Sequence, residues 1–196
     1  MKAITQNHTA WLLGWCVLFW LGFSGAAQAT APRVAPRMFG EEKKADILQY
    51  RLEANNAAVA AEDKLLAELV TASFAAVEKA PQLDMQPARQ LAKYALFNGE
   101  VAALIGSPQD FADKEKKRYR IIVFYLRGGK ADGAEVALIF NKSHASGDEL
   151  SKAFDAGLRK LIASGKYLEL LETSHGKGTL PADYVDSLKR HHPDWK

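Results

Sequence analysis

Val101-Ala102-Ala103-Leu104-Ile105 is a short, wholly apolar run closed by Gly106-Ser107-Pro108. A strand with one face in water alternates apolar and polar residues, so a run without a polar member predicts a strand covered on both faces. Just before it, from about Pro87 to Asn98, Leu91, Ala95 and Leu96 share one helical face. Pro87 sits in the first turn, where its missing donor costs nothing, and Gly99 is the exit cap. Further back, Glu62 to Lys79 repeats Leu65, Leu66, Leu69, Val70, Ala72, Phe74 and Val77 at three and four. Glu62 and Asp63 stand where a helix dipole favours anions, and Pro81 ends this amphipathic helix. Ile47 to Ala54 alternates Ile47, Gln49, Arg51 and Glu53 with Leu48, Tyr50, Leu52 and Ala54, the period of a half-buried first strand. Asn55-Asn56 then makes a turn whose amides can bond backbone or a ligand.

Working outward in the other direction, Asp113 to Arg120 is a dense charge run. Ile121 to Leu126 is a strand that stops at Gly128-Gly129, and Glu135 to Phe140 is another. Ser146-Gly147-Asp148 opens a helix whose face is Leu150, Ala153, Phe154, Leu158, Leu161 and Ile162, ended by Gly165. A shorter helix runs from about Tyr167 to Thr173, and a last element from Pro181 to near Arg190, before Pro193. Alternating strands and helices at the start of this order predict right-handed crossovers in a mainly parallel sheet with flanking helices, an α/β fold. Leu69 and Phe154 are expected in the core, on opposite helices of one sheet.

The chain has 196 residues, 48% hydrophobic and 25% charged, which suits one globular domain behind a processed leader and excludes a disordered or fibrous protein. Met1 to Ala29 carries one charged side chain, Lys2, then the apolar run Trp11 to Phe23, then Ala27-Gln28-Ala29. The run is too short for a hydrocarbon core of about 30 Å, and the ending is an A-x-A cleavage signal. Residues 1–29 are therefore expected to be a secretory signal peptide, which places the mature protein in the periplasm with no membrane anchor after cleavage. Residues 30–44, with Pro32, Pro36 and Gly40, form a flexible lead-in, and residues 45–196 a single domain. Removing 29 of 196 residues leaves 167, and losing Lys2 lowers the net charge from +3 to +2. So small an excess argues against a nucleic-acid partner. The single cysteine, Cys16, goes with the leader, so the mature chain has no disulfide, thiolate metal ligand or cysteine nucleophile.

Chemical motifs are sparse. His191-His192 with Asp194 fails as a metal set, because adjacent residues on a helix end point about 100° apart. These residues read as an exposed, frayed terminus, and His144 and His175 as solvated loop residues. No G-x-S-x-G elbow, phosphate loop or dinucleotide motif is present; Gly128-Gly129-Lys130 and Gly176-Lys177-Gly178 read as turns. The expectation is a protein that is not an enzyme, with no catalytic residue, no metal and no cofactor. The basic cluster Lys114 to Arg120 reads as a solvated approach to a strand. Its functional alternative is an acidic partner or ligand held by Arg118 or Arg120.

The stretch Phe154-Asp155-Ala156-Gly157-Leu158-Arg159-Lys160-Leu161-Ile162-Ala163-Ser164-Gly165-Lys166-Tyr167 resembles the C-terminal signature of type 2 periplasmic solute-binding proteins of the amino-acid-binding class (bacterial family 3). Glu135 to Phe140 resembles that family's returning strand, Arg89 to Ala103 its segment with an arginine, a glycine and an apolar strand, and Asp113 to Leu126 its T-x-E-R turn and the aromatic strand after it. The sequence departs from the pattern at Ala102-Ala103, where an acidic residue is usual, and at Lys114, where a small hydroxyl residue is usual. Between Gly129 and Glu135 stand five residues, Lys130 to Ala134, where the family has a whole second lobe. The resemblance implies lobe one alone, with an open half-site and no hinge closure. That half-site belongs at the carboxyl ends of the strands, near Asn55, Asn56, Ser107, Gln109 and Arg127. It implies binding of a small polar or anionic solute, or an accessory role beside an ABC transporter or sensor in the membrane. The alternative is an interaction module that kept the fold and lost the ligand.

Overall fold

The computed structural model describes residues 45–50, 57–86 and 88–195, all within one unit, Lys43–Lys196. The leader, the lead-in and the Asn55-Asn56 turn lie outside the described residues. The elements are β1 (Ile47–Tyr50), α1 (Ala57–Ala75), β2 (Leu83–Gln86), α2 (Arg89–Asn98), β3 (Ala103–Gly106), the single turn α3 (Asp113–Lys116), β4 (Tyr119–Leu126), β5 (Glu135–Asn141), α4 (Gly147–Ala163), α5 (Lys166–His175) and α6 (Tyr184–Lys189).

The fold is α/β, with one five-stranded sheet in the order β2-β1-β3-β5-β4. β1 pairs in parallel with β2 (Ile47 opposite Leu83) and with β3 (Ile47 opposite Ala103). β5 runs antiparallel to both β3 and β4, so four strands point one way and β5 alone is reversed. The sheet is therefore mixed, whereas the sequence predicted only that it would be mainly parallel. The cause is the turn of Lys130 to Ala134, too short for the crossover that a parallel return needs.

The two crossovers, from β1 to β2 and from β2 to β3, run in opposite directions across the sheet, and right-handed connections then put α1 and α2 on opposite faces. α1 packs on α4 and α5, while α2 packs on β1, β2 and β3. Leu65, Leu66, Leu69, Val70 and Phe74 of α1 are buried, as are Phe154, Leu158 and Leu161 of α4. Phe154 joins the layers: its ring lies 5.4 Å from Phe74, 5.7 Å from Phe124 and 6.1 Å from Phe140. Leu69 and Phe154 are core residues, but on helices packed directly against each other.

Several expectations are corrected. β3 is fully buried as its apolar run predicts, yet β1 is buried along its whole length too, Gln49 included. Neighbours on both edges and helices on both faces override its alternation. α1 begins earlier than Glu62 and ends at Ala75, well before Pro81. Glu78 takes the left-handed conformation (φ 57°), so that Lys79 N donates to the Phe74 carbonyl and Glu78 N to that of Ala75, closing the helix locally. α2 ends on Gly99 at φ 72°, as expected, but it begins at Arg89, and Leu91, read as part of its packed face, is exposed while Ala92 takes that place beside Ala95 and Leu96. β2 has no counterpart in the sequence reading: Leu-Asp-Met-Gln carries two apolar residues, neither buried, and holds its place by pairing with β1.

The charge run is also corrected. Part of it forms α3, whose start is closed by Ala112 N donating to Glu115 Oε2 at 2.9 Å, and β4 begins before the charges end, at Tyr119. Arg118 stacks over Phe97 at 4.1 Å. The C-terminus is not frayed at His192, which is buried, donates from Nε2 to Val123 O at 2.6 Å and stacks 3.7 Å from Trp195. His191 pairs with Glu135 at 3.3 Å, and Trp195 Nε1 donates to Asp155 at 2.9 Å.

β4 is an edge strand, and side chains close the second half of its free edge. A register shift between Val123 and Tyr125 marks a bulge. Tyr167 donates to Phe124 O at 2.7 Å, while the Tyr184 phenol accepts from Leu126 N at 2.9 Å and donates to Leu126 O at 3.2 Å. With His192 on Val123 O, the outward backbone groups in the second half of β4 that would otherwise invite another strand are engaged by side chains.

Candidate functional site

The carboxyl ends of β1, β3 and β4 lie along one edge of the sheet, where the reversed β5 begins at Glu135. Sheet growth turns back at β1, with β2 on one side and β3 on the other. The crevice between the ends of β1 and β3 is thus a topological switch point, the place where open α/β sheets take ligands.

The loop after β3 forms one wall. Ser107 Oγ accepts from Gln109 N at 3.3 Å and caps the single turn Pro108–Asp110, leaving Gln109 exposed. The Asp110 carboxylate accepts from the Tyr50 phenol and from Arg89 Nη2, and its carbonyl from Lys93 Nζ. Burial first, then Asp110, pushes the Tyr50 phenol up to about 12, so it stays a donor across the physiological range. Ser107 is therefore committed to a local cap, and Asp110, not singled out from the sequence, ties β1, α2 and this loop together.

Arg127 follows β4 directly. Its backbone is wrapped by the hairpin turn, where a Cβ on Gly133 would come within 2.4 Å of Arg127 O, so only glycine lets the turn approach so closely. Arg127 Nη1 lies 3.8 Å from Glu62 Oε2, an ion pair longer than a hydrogen bond, with both side chains partly exposed. Guanidinium and carboxylate face a cleft of about 400 Å³, lined also by Val59, Ala61, Gly128, Ser174 and His175. Behind it Tyr125 Oη lies 2.9 Å from His175 Nε2 with the rings stacked, and burial followed by the Glu62 charge raises the Tyr125 phenol. His175 ends α5 and is thus a structural neighbour of the cleft, where the sequence reading made it a solvated loop residue.

Arg127 also lines a smaller crevice of about 10 Å³, with Gln49, Tyr50, Asp63, Leu66, Ile105, Gly106 and Val136. Of the residues singled out from the sequence, Arg127 borders both spaces. Ser107 and Gln109 lie on the adjoining loop without lining either, and Asn55 and Asn56 are outside the described residues. Gln49, Glu62 and Asp63 were missed as site residues. Glu62 and Asp63 carried a signal, two carboxylates near the start of a helix that follows a strand, but it read as dipole compensation. Gln49 carried the subtler one of a polar residue inside a strand next to the sheet centre.

The chemistry available here is recognition by hydrogen bond and charge: a guanidinium, two carboxylates, an amide and protonated phenols. Among the described residues no group of three His, Cys, Asp or Glu side chains converges to hold a metal ion. In comparisons with protein-family models, with curated proteins and with solved structures, nothing matches this chain.

Proposed function

We propose that this protein is an exported, single-lobe solute-binding protein that takes a small polar solute at the carboxyl edge of its sheet. The observation that carries the reading is Arg127, its backbone held by the Gly133 turn, its one ion pair among the described residues a 3.8 Å contact with Glu62, and its side chain opening onto a cleft at the switch-point edge. An Arg fork that spends no short hydrogen bond on the described residues suits a carboxylate or similar anionic group of the solute. The resemblance of Phe154 to Tyr167 to type 2 periplasmic solute-binding proteins supports the same reading, and the short β4–β5 turn supports a form without a second lobe. Export follows from the leader, and intact mass of periplasmic material should begin at Thr30; mature protein that still carries Trp11 would overturn it.

A thermal-shift screen with amino acids and small carboxylates tests binding. A ligand at about 100 times its Kd adds about 2.7 kcal/mol. Arg127→Ala should abolish the shift for an anionic ligand while leaving the fold intact. A second reading, an interaction module serving a transporter or sensor, is favoured by the exposed Leu91, Tyr94 and Phe97 along α2. The screen separates the two, because the interaction reading expects no solute to stabilise the wild type.

A further inference from the structure

We propose that the outer ridge of α2, together with the basic segment at its end, docks on the surface of an anionic phospholipid bilayer. The inference goes beyond the solute site and does not depend on it.

The ridge comes from helical spacing. In α2 Ala92, Ala95 and Leu96 are buried, while Leu91, Tyr94 and Phe97 stand out at 57%, 63% and 47% exposure. Residues three apart are neighbours on a helix surface, so the three make one apolar ridge about 9 Å long. At its end the Arg118 guanidinium lies 4.1 Å over the Phe97 ring. α2 runs back to the amino end of β3, where Asn141 Nδ2 donates to Leu96 O at 2.7 Å. β4 begins and β5 ends at this same edge of the sheet, opposite the edge that carries Arg127.

The charges at this edge are mostly of one sign. Lys114, Lys116, Lys117 and Arg118 lie together in sequence, and Lys142 Nζ donates to Lys117 O at 3.0 Å. Asp113 pairs with Lys116, and Glu115 closes the start of α3 by accepting from Ala112 N. Lys114, Lys117, Arg118 and Lys142 have no carboxylate partner among the described residues. Glu100, two residues beyond α2 and bonded to Asn98, opposes them with a single charge.

This combination selects the occupant. A second copy of the chain on the same ridge would bring its own unpaired cations against these. Three half-exposed side chains also supply far less than the roughly 800 Å² that a stable protein interface buries on each partner. A bilayer asks for less apolar area, because a few aromatic and aliphatic groups enter the interface while lysines and arginines meet lipid phosphates with no fixed geometry. Among the described residues no helix is long and apolar enough to cross a membrane, so the contact is with the surface.

The test sediments the full mature chain with vesicles of equal parts phosphatidylglycerol and phosphatidylcholine, and with vesicles of phosphatidylcholine alone. The mixed vesicles should bind about tenfold more tightly or better, and added salt should narrow the difference. Tyr94→Ser combined with Phe97→Ser, both at exposed positions, should weaken binding to the mixed vesicles about tenfold with an unchanged far-UV spectrum. Tyr94→Trp keeps the ridge, and against the Trp195 background of the wild type its emission should move to the blue on the mixed vesicles only. If the serine variant fails to fold, that shift decides alone. No binding to the mixed vesicles, or equal binding to both kinds, overturns the proposal and leaves the ridge to a protein partner. Binding that the serine substitutions leave unchanged overturns it as attraction to any polyanion. None of these outcomes touches the solute reading, which stands or falls on a ligand response sensitive to Arg127→Ala.

Discussion

Gly157 of α4 lies against the Ser73 carbonyl of α1, so close that a Cβ on the glycine would come within 1.9 Å of that oxygen. Glycine inside a helix ordinarily costs about 0.5–1 kcal/mol relative to alanine. Here the sign reverses, because the added methyl must push two helices apart. Gly157→Ala should lower stability by about 1–3 kcal/mol in urea melts. A variant as stable as the wild type would show that the helices do not meet at this point.

Phe154 touches three other phenylalanines across helix and sheet, and Leu69 is wholly buried beside them. Phe154→Ala should cost about 3–5 kcal/mol and Leu69→Ala about 2–5 kcal/mol, through lost burial and the cavities left behind. Chemical denaturation of each variant measures both, and neither should alter ligand response at the sheet edge once stability is restored by osmolyte.

The long helices α1 and α4 were the most legible part of the sequence, because apolar residues at three and four leave little choice of face: Leu65 to Phe74 and Phe154 to Leu161 pack as read, whereas Leu91 on the shorter α2 does not. β2 was illegible for a physical reason, since its four residues owe their extended form to β1, far away in sequence. The reversal of β5 was implicit in the five-residue turn, yet its antiparallel pairing with β3 depends on contacts no local pattern carries. At the site, Arg127 was visible as a charge at the end of a strand. Gln49 was not, because its place in the crevice wall comes from burial between β2 and β3 and from its bond to Asp63 on another element.

His192 gives stability a pH dependence. Burial holds its imidazole below the ordinary value, while donation to Val123 O and the Asp155 charge pull the other way. Above about pH 6.5, the unfolded value, the ring is neutral in both states and its contribution is fully present. As pH falls below that, the unfolded chain takes the proton first, so stability drops until the folded value is passed. Urea melts from pH 8 to pH 5 should show this decline, and His192→Phe, which keeps an aromatic ring on Trp195, should flatten it. An unchanged slope in the variant would mean that His192 titrates freely.

Tyr184→Phe leaves both the N–H and the carbonyl of Leu126 without a side-chain partner on the free edge of β4. A buried donor so abandoned costs about 1–3 kcal/mol. Tyr125→Phe, whose phenol bonds to His175 and the neighbouring Glu62 and Gly128 at the partly exposed cleft wall, where water can replace it, should cost less, about 0.5–1.5 kcal/mol. Calorimetry ranks the two. Light scattering near the melting temperature should show earlier association for Tyr184→Phe, since its edge can template a neighbouring chain.

The reversed β5 also sets an order of assembly. β4 and β5 are joined by a few residues, so their pairing closes a short loop and can form early, on the timescale of a hairpin. β1 finds β2, and β2's successor finds β1, only after a helix has been carried across the sheet each time. Those pairings are non-local and slow. The edge between β1 and β3 is therefore completed last, and a newly made chain is folded at its hairpin before the switch-point crevice exists.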